Sequence, residues 1–215
     1  MRGSFNAVVA ATMLVTPLHA VAVEETTREW RFNVSVDDRR IGEHRFVLRE
    51  SGGRRELSSD ANFLVRILFV KAYQYQHKTL ESWEGDCLAR IDARTDDDGE
   101  KFVVTGQQSG SEFRLTAGKS RGALPECVQT FAYWNPLILD AQRLLNPQTG
   151  EYMPVRVIKL GRETLAGRQT ERFRLIGEVA NGAPLQIDLW YSPAQEWLAL
   201  ESRTPDGRRM RYSLE

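Results

Sequence analysis

Apolar and polar residues alternate along most of the chain, which is the pattern of half-buried β-strands. The first run places four apolar residues on one face: Trp30, Phe32, Val34 and Val36. Further strand-like runs are 41–49, 87–95, 101–107, 152–160, 170–177, 185–192, 198–203 and 208–214. Clusters of Gly, Pro, Asn and Asp separate many of these runs, as turns require. With no repeat of fixed period and no linker, the pattern predicts one antiparallel β-rich domain over residues 23–215.

One stretch departs from this alternation and predicts an α-helix at the centre of the fold. Asn135 is a favoured N-cap residue, and Pro136 follows at the first helical position, where proline is tolerated. Four apolar residues then recur at helical spacing: Leu137, Ala141, Leu144 and Leu145. A lone amphipathic helix must cover its apolar stripe. The expected fold is therefore mainly β, a strongly curved antiparallel sheet or open barrel wrapped around one central α-helix, with a closed sandwich as the alternative.

The N-terminal 22 residues predict a cleaved signal peptide. Arg2 supplies the positive charge, the apolar run 7–15 is too short to span a membrane, and Ala20-Val21-Ala22 is a small-x-small cleavage site. We expect cleavage after Ala22 and a mature protein in the bacterial periplasm. No later apolar run has the length of a transmembrane helix, so we expect none after cleavage.

Two cysteines follow the signal segment, Cys87 and Cys127. Export would place them in an oxidising compartment, where an even pair most often forms a disulfide. A CxxC motif, which would indicate a redox role, is not found. We therefore predict a Cys87–Cys127 disulfide, with a free thiol nucleophile as the alternative.

Charge and motifs exclude several classes of function. The 29 basic and 29 acidic residues balance, which disfavours nucleic acid as a partner. Residues 96–99, with the sequence DDDG, lack the spacing of a calcium loop and predict a hairpin turn. His44 and His77 lie in predicted strands without a second ligand at useful spacing. We expect hydrogen-bonded or surface histidines, with metal binding or acid–base chemistry as the alternative. No catalytic residue, metal ligand or cofactor is predicted.

The aromatic residues before the predicted helix have two interpretations. They could pack the junction between helix and sheet, or they could line the mouth of a pocket, where Tyr and Trp offer an apolar body and a polar tip. The strands carry more apolar positions than one helix can cover, which favours a ligand cavity. The candidate lining residues are Phe69, Tyr75, Phe131, Tyr133, Trp134 and Leu137.

Four segments carry a resemblance to known proteins: residues 29–48, 88–100, 127–136 and 189–202. Together they resemble a family of exported proteobacterial proteins without assigned function. More distantly, the order of strands and helix is similar to that of periplasmic lipoprotein-carrier-like half-barrels. In those proteins a curved sheet holds acyl chains against helices, so this second similarity implies a carrier of apolar molecules.

Three hypotheses follow for the function. The leading one is binding of an apolar or amphiphilic envelope molecule, such as a lipid, between curved sheet and helix. The second is an interaction module that binds another envelope protein. The third is an enzyme whose site is scattered in sequence, which a cleft holding His44 or His77 beside a carboxylate would favour.

Overall fold

The computed structural model describes residues 25–67, 70–179, 184–204 and 206–215, and these ranges form fourteen β-strands. The predicted signal peptide lies outside them. The strands are Glu25–Val36 (β1), Arg39–Ser51 (β2), Arg54–Ile67 (β3), Val70–Glu84 (β4), Cys87–Asp97 (β5), Glu100–Ser109 (β6), Glu112–Ala117 (β7), Ser120–Pro125 (β8), Arg143–Leu145 (β9), Tyr152–Leu165 (β10), Arg168–Gly177 (β11), Leu185–Tyr191 (β12), Trp197–Arg203 (β13) and Arg209–Leu214 (β14).

All fourteen strands belong to one antiparallel sheet that does not close on itself. Its order is β8-β7-β6-β5-β4-β3-β2-β1-β14-β13-β12-β11-β10-β9. The first and last strands pair with each other in the middle, for example Val34 with Tyr212. The edge strands are therefore β8 and β9, which are joined by residues 126–142. These residues are called the inner segment below.

The inner segment lies against the inner face of the coiled sheet. Val128, Ala132, Trp134 and Ile138 are each at most 5% exposed, and they share one core cluster with residues of β1 to β7 and β9 to β13. The segment is also fastened to the sheet by its backbone, because Leu88 N donates to Val128 O at 2.9 Å. It thus brings both halves of the sheet into one core.

The predicted central α-helix is wrong, because the described residues contain no α-helix. The predicted cap is confirmed: the Asn135 side chain accepts a hydrogen bond from Leu137 N, and Pro136 follows it. The helical structure is only a 3₁₀ turn, Pro136–Asp140. Leu144 and Leu145, the predicted end of the stripe, instead form β9 and pair with β10.

The physical reason is that a short helix has little stability of its own. Nucleating a helix fixes several residues for a single hydrogen bond, so about three turns are marginal without tertiary support. Here the competing strand pair gives Leu144 and Leu145 both a ladder with β10 and complete burial. Leu137 and Ala141, which would have shared the stripe, are only partly buried.

The alternation of the first strand and the disulfide are confirmed. Trp30, Phe32, Val34 and Val36 are all buried on the inner face. Cys87 and Cys127 form a disulfide, which joins the beginning of β5 to the beginning of the inner segment. In the described ranges, no helix is long and apolar enough to cross a membrane.

The disulfide should stabilise the fold by closing a long loop. Its two cysteines are 40 positions apart, a separation for which chain-entropy estimates give about 3–4 kcal/mol. Replacing both Cys87 and Cys127 by serine should lower the free energy of urea unfolding by about this amount. Two titratable thiols in unreduced, denatured wild-type protein would contradict the pairing.

A pair of leucine variants distinguishes the observed arrangement from the helical one. Leu144→Ala should cost about 2–5 kcal/mol, since a fully buried leucine leaves a cavity when truncated. Leu137→Ala should cost only about 1 kcal/mol, because its side chain is partly exposed. Equal losses in urea unfolding of the two variants would support the helix stripe instead.

Candidate functional site

A cavity of about 270 Å³ lies between the inner segment and the inner face of the sheet. One wall comes from β2, β3 and β4, and the other comes from β12, β13 and β14. Residues 131–134 of the inner segment and residues 146–148 of the β9–β10 loop complete it. For scale, an engineered apolar cavity of about 150 Å³ admits benzene.

The structure brings most of the predicted lining residues together. Tyr75, Phe131, Tyr133 and Trp134 all line this cavity. Leu137 does not, because it lies in a separate surface depression beside Cys127 and Arg143. Phe69 lies outside the described residues. The binding role of these side chains stays a prediction.

Strand β4 supplies most of the polar lining, and three of its residues, His77, Thr79 and Glu81, were not among the predicted lining residues. Tyr75, His77, Thr79 and Glu81 occupy alternate positions and therefore share the inner face. The alternation itself was visible, but polar residues at such positions are normally assigned to the solvent side. Only the pairing of β4 with β3 and β5, both of which bury neighbouring side chains, shows that this face points inward.

His77 is buried and fully hydrogen-bonded. Its Nδ1 lies 2.8 Å from Thr95 Oγ1, and its Nε2 lies 2.7 Å from Thr79 Oγ1. Hydroxyl groups can donate or accept, so the neutral ring satisfies both contacts. Burial lowers the pKa of His77 to about 4. This histidine is therefore uncharged at neutral pH.

His44 lines the same cavity in a similar environment. Its Nε2 lies 2.7 Å from Ser59 Oγ, and its Nδ1 lies 3.4 Å from the Tyr212 hydroxyl. The ring stacks on Phe46 with 4.0 Å between ring centroids. Burial, with a smaller contribution from His77, holds the pKa of His44 well below its usual range.

Glu81 is the one carboxylic acid among the described lining residues. It is 2% exposed, and Trp83 Nε1 donates to its Oε2 at 3.0 Å. Burial raises the pKa of Glu81 to about 7, because a charge is costly away from water. The cavity therefore holds two neutral imidazoles and a carboxyl that is protonated over much of the physiological range.

The loop between β9 and β10 fastens the sheet edge across the cavity. Gln148 accepts from the Tyr75 hydroxyl at 3.0 Å and donates to Asp97 Oδ2 at 3.3 Å. Gly150 has a positive φ of 77°, and a Cβ there would lie 2.4 Å from the Ala117 Cβ. Glycine is needed at this position because the loop packs directly on β7.

The two faces of β12 differ, because one contributes to the core and the other carries an ion pair. Ile187 and Leu189 point into the core, whereas Asp188 and Trp190 lie on the outer face. Asp188 there receives hydrogen bonds from Arg172 and Arg174. These outer residues form an ion-paired network that does not contribute to the cavity.

The described residues contain no group of three or more His, Cys, Asp or Glu side chains that could hold a metal ion. His44, His77 and Glu81 line one cavity, but they do not form such a cluster. The chemistry available there is hydrogen bonding, apolar contact and proton transfer.

Comparison with known proteins places the chain in a family and a fold class. The family described as a domain of unknown function, DUF6134, matches residues 32–215. No curated protein matches the chain. A solved structure, a beta-barrel-like protein of the domain of unknown function DUF1849 from Brucella abortus, is similar with a TM-score of 0.66 at 11% identity. The similarity covers 90% of this chain and 98% of that one. At this identity it shows the fold alone.

The expectation of a family without assigned function is confirmed by these matches, and the similar solved structure comes from a proteobacterium. The more distant likeness to lipoprotein carriers is not tested by them and stays a prediction. The α-helix that this likeness implies is absent from the described residues.

The raised pKa of Glu81 predicts a pH-dependent stability difference for the variant Glu81→Gln. Between the ordinary pKa of 4.5 and about 7 the folded state retains the proton and the unfolded state loses it. Ionisation therefore destabilises wild type as the pH rises through this window, by about 3 kcal/mol in total. Glutamine cannot ionise, so the unfolding free energy of the variant relative to wild type should rise by about 2–3 kcal/mol from pH 5 to pH 8.

Comparing variant with wild type at each pH removes the opposite contribution of the histidines. Their lowered pKa values reduce stability as the pH falls below about 6.5 in both proteins. Glu56→Gln, at an exposed position on β3, serves as the control and should show no such trend. A flat difference for Glu81→Gln between pH 5 and pH 8 would contradict the assignment.

Proposed function

We propose that this chain, which belongs to the DUF6134 family, binds a small apolar or amphiphilic molecule of the cell envelope in the cavity beneath its inner segment. The single observation that carries the proposal is the cavity of about 270 Å³. Ligand sites are typically concave spaces of about 300–1,000 Å³ that are already formed in the free protein. This cavity is partly open to solvent and lies near the lower end of that range, which suits a small ligand.

The two walls of the cavity differ in character, which suits an amphiphile. The wall from β12, β13 and β14 is mainly apolar, with Leu185, Ile187, Leu200 and Met210 among its residues. The opposite wall carries the hydroxyl, imidazole and carboxyl groups of β3 and β4. Ligand sites typically combine an apolar lining with a few placed polar groups that orient the ligand. An apolar body against the first wall would bring a polar end to the second.

Export is part of the proposal, and two observations support it. Residues 1–22 have the charge, apolar run and cleavage site of a signal peptide. The Cys87–Cys127 disulfide is the type of bond that persists in an oxidising compartment such as the periplasm. An envelope ligand would be encountered there.

One contact favours a second candidate function, hydrolysis of an ester in the same cavity. Ser59 Oγ lies 2.7 Å from His44 Nε2, and a serine beside an imidazole is an arrangement used for nucleophilic catalysis. Ser59 lies inside a regular stretch of β3, where neighbouring backbone N–H groups are engaged in strand pairing. Because no pair of free donors for an oxyanion is identified among the described residues, binding is the main proposal.

A cavity-filling variant tests the proposal with the neutral fluorescent probe N-phenyl-1-naphthylamine. Ser202 lines the cavity and is not fully buried, so Ser202→Phe should occupy space without displacing packed atoms. We expect saturable probe binding by wild type and at least a tenfold loss of affinity in the variant. Ser213→Phe, an exposed site on the outer face of β14, is the matched control and should bind like wild type.

Two outcomes would change this conclusion. Wild-type protein that shows no saturable fluorescence increase would contradict a ligand cavity. Release of alcohol from a fluorescent ester, lost in Ser59→Ala while the probe still binds, would establish the hydrolytic function instead.

A further inference from the structure

We infer that the ligand of this cavity has an uncharged polar end with a carbonyl oxygen, as in an ester or amide, and that carboxylate and phosphate head groups are rejected. The inference rests on the proposed function and specifies its ligand. Two independent features carry it: the absence of a cation in the described lining, and an unpaired hydrogen-bond donor on Trp134.

The described lining residues include no lysine and no arginine. Sites for carboxylates and phosphates normally supply charge-assisted hydrogen bonds from such side chains. Without them, an anion entering the cavity would lose its hydration and gain no opposite charge. Arg55 does contact the Trp134 ring, at 5.1 Å from its centroid, but it is outside the lining and bonds to Asp86 at 3.4 Å.

The titratable side chains of the cavity do not replace the missing cation. Those among the described lining residues are His44, Tyr75, His77, Glu81, Tyr133 and Tyr212. Both ring nitrogens of each histidine lie within hydrogen-bonding distance of hydroxyl groups. The tyrosines are neutral because burial raises their pKa values. Glu81, when it ionises, adds a negative charge that would repel an anionic head group further.

Trp134 supplies the second feature. It lines the cavity and is 4% exposed, yet its Nε1 has no hydrogen-bond partner among the described residues. A buried N–H without an acceptor is destabilising, and buried tryptophans usually find an acceptor. A ligand carbonyl would provide the missing acceptor.

The Trp134 ring is also held in place, which suits a recognition role. Trp83 meets it edge to face with 5.7 Å between ring centroids. Arg55 lies over its face. Trp83 in turn donates to Glu81, so a second tryptophan packs between the indole of Trp134 and the one carboxyl group of the described lining. A fixed donor loses little conformational freedom when it binds.

Displacement of the naphthylamine probe at pH 6, where Glu81 is mostly protonated and the cavity carries no charge, tests the inference with ligands of matched chain length. The set is methyl octanoate, octanoate, octyltrimethylammonium and nonane, which differ in charge and in the presence of a carbonyl. We expect methyl octanoate to bind at least tenfold more tightly than octanoate and octyltrimethylammonium. Octanoate or octyltrimethylammonium binding as tightly as the ester would overturn the inference while leaving the ligand cavity in place.

The variant Trp134→Phe isolates the donor, because it retains an aromatic ring and removes the N–H. Its affinity for methyl octanoate should fall about five- to tenfold, which corresponds to one lost hydrogen bond, and its affinity for nonane should stay within about twofold. An equal loss for both ligands would show that the ring only packs, and would overturn the role of the donor. If wild type bound neither the probe nor any of the four ligands, the proposed function itself would fail.

Discussion

The structure depends on burial of the inner segment against a sheet whose inner face is covered by no α-helix from the described residues. A fourteen-stranded antiparallel sheet with an apolar inner face must hide that face from water, and the described part of the chain does so with its own connection between β8 and β9. Four buried side chains of this connection reach residues of both halves of the sheet. The halves are joined directly where β1 pairs with β14. The edge strands β8 and β9 do not pair with each other, so toward the edges the inner segment and the Gln148 contacts hold the halves together. The disulfide ties the inner segment to β5.

The cavity is a consequence of that arrangement. An extended segment with one 3₁₀ turn is thinner than an α-helix with its side chains, so it covers the inner face incompletely. The uncovered part lies between the strand triplets β2–β4 and β12–β14. On the β4 side it exposes a row of polar groups in a poorly solvated space, where charges are costly. The lowered pKa of His77 and the raised pKa of Glu81 have this common cause.

The difference between the predicted α-helix and the observed turn and strand shows how local and distant interactions compete. Asn135 and Pro136 are real capping residues, and they do begin a helical turn. The spacing of Leu137, Leu144 and Leu145 is compatible with one helix, and it is equally compatible with a short turn followed by a strand. Local signals of this kind are weak over about ten residues. The partner strand β10, which follows in the chain, decides between the two by offering a ladder and a buried surface.

The strand-rich class, the antiparallel succession of strands and the pairing of Cys87 with Cys127 could all be predicted from the sequence. These follow from period-two alternation, turn residues, cysteine count and residue type, which act locally or need no partner. The tertiary structure alone brings His44, His77 and Glu81 into one cavity, since they lie on β2 and β4, which are joined through β3. It also decided that Leu137 points elsewhere. Which face of a strand lies inside depends on its neighbours and on the direction of coiling, and a strand's own residues do not specify that when polar side chains occupy both faces.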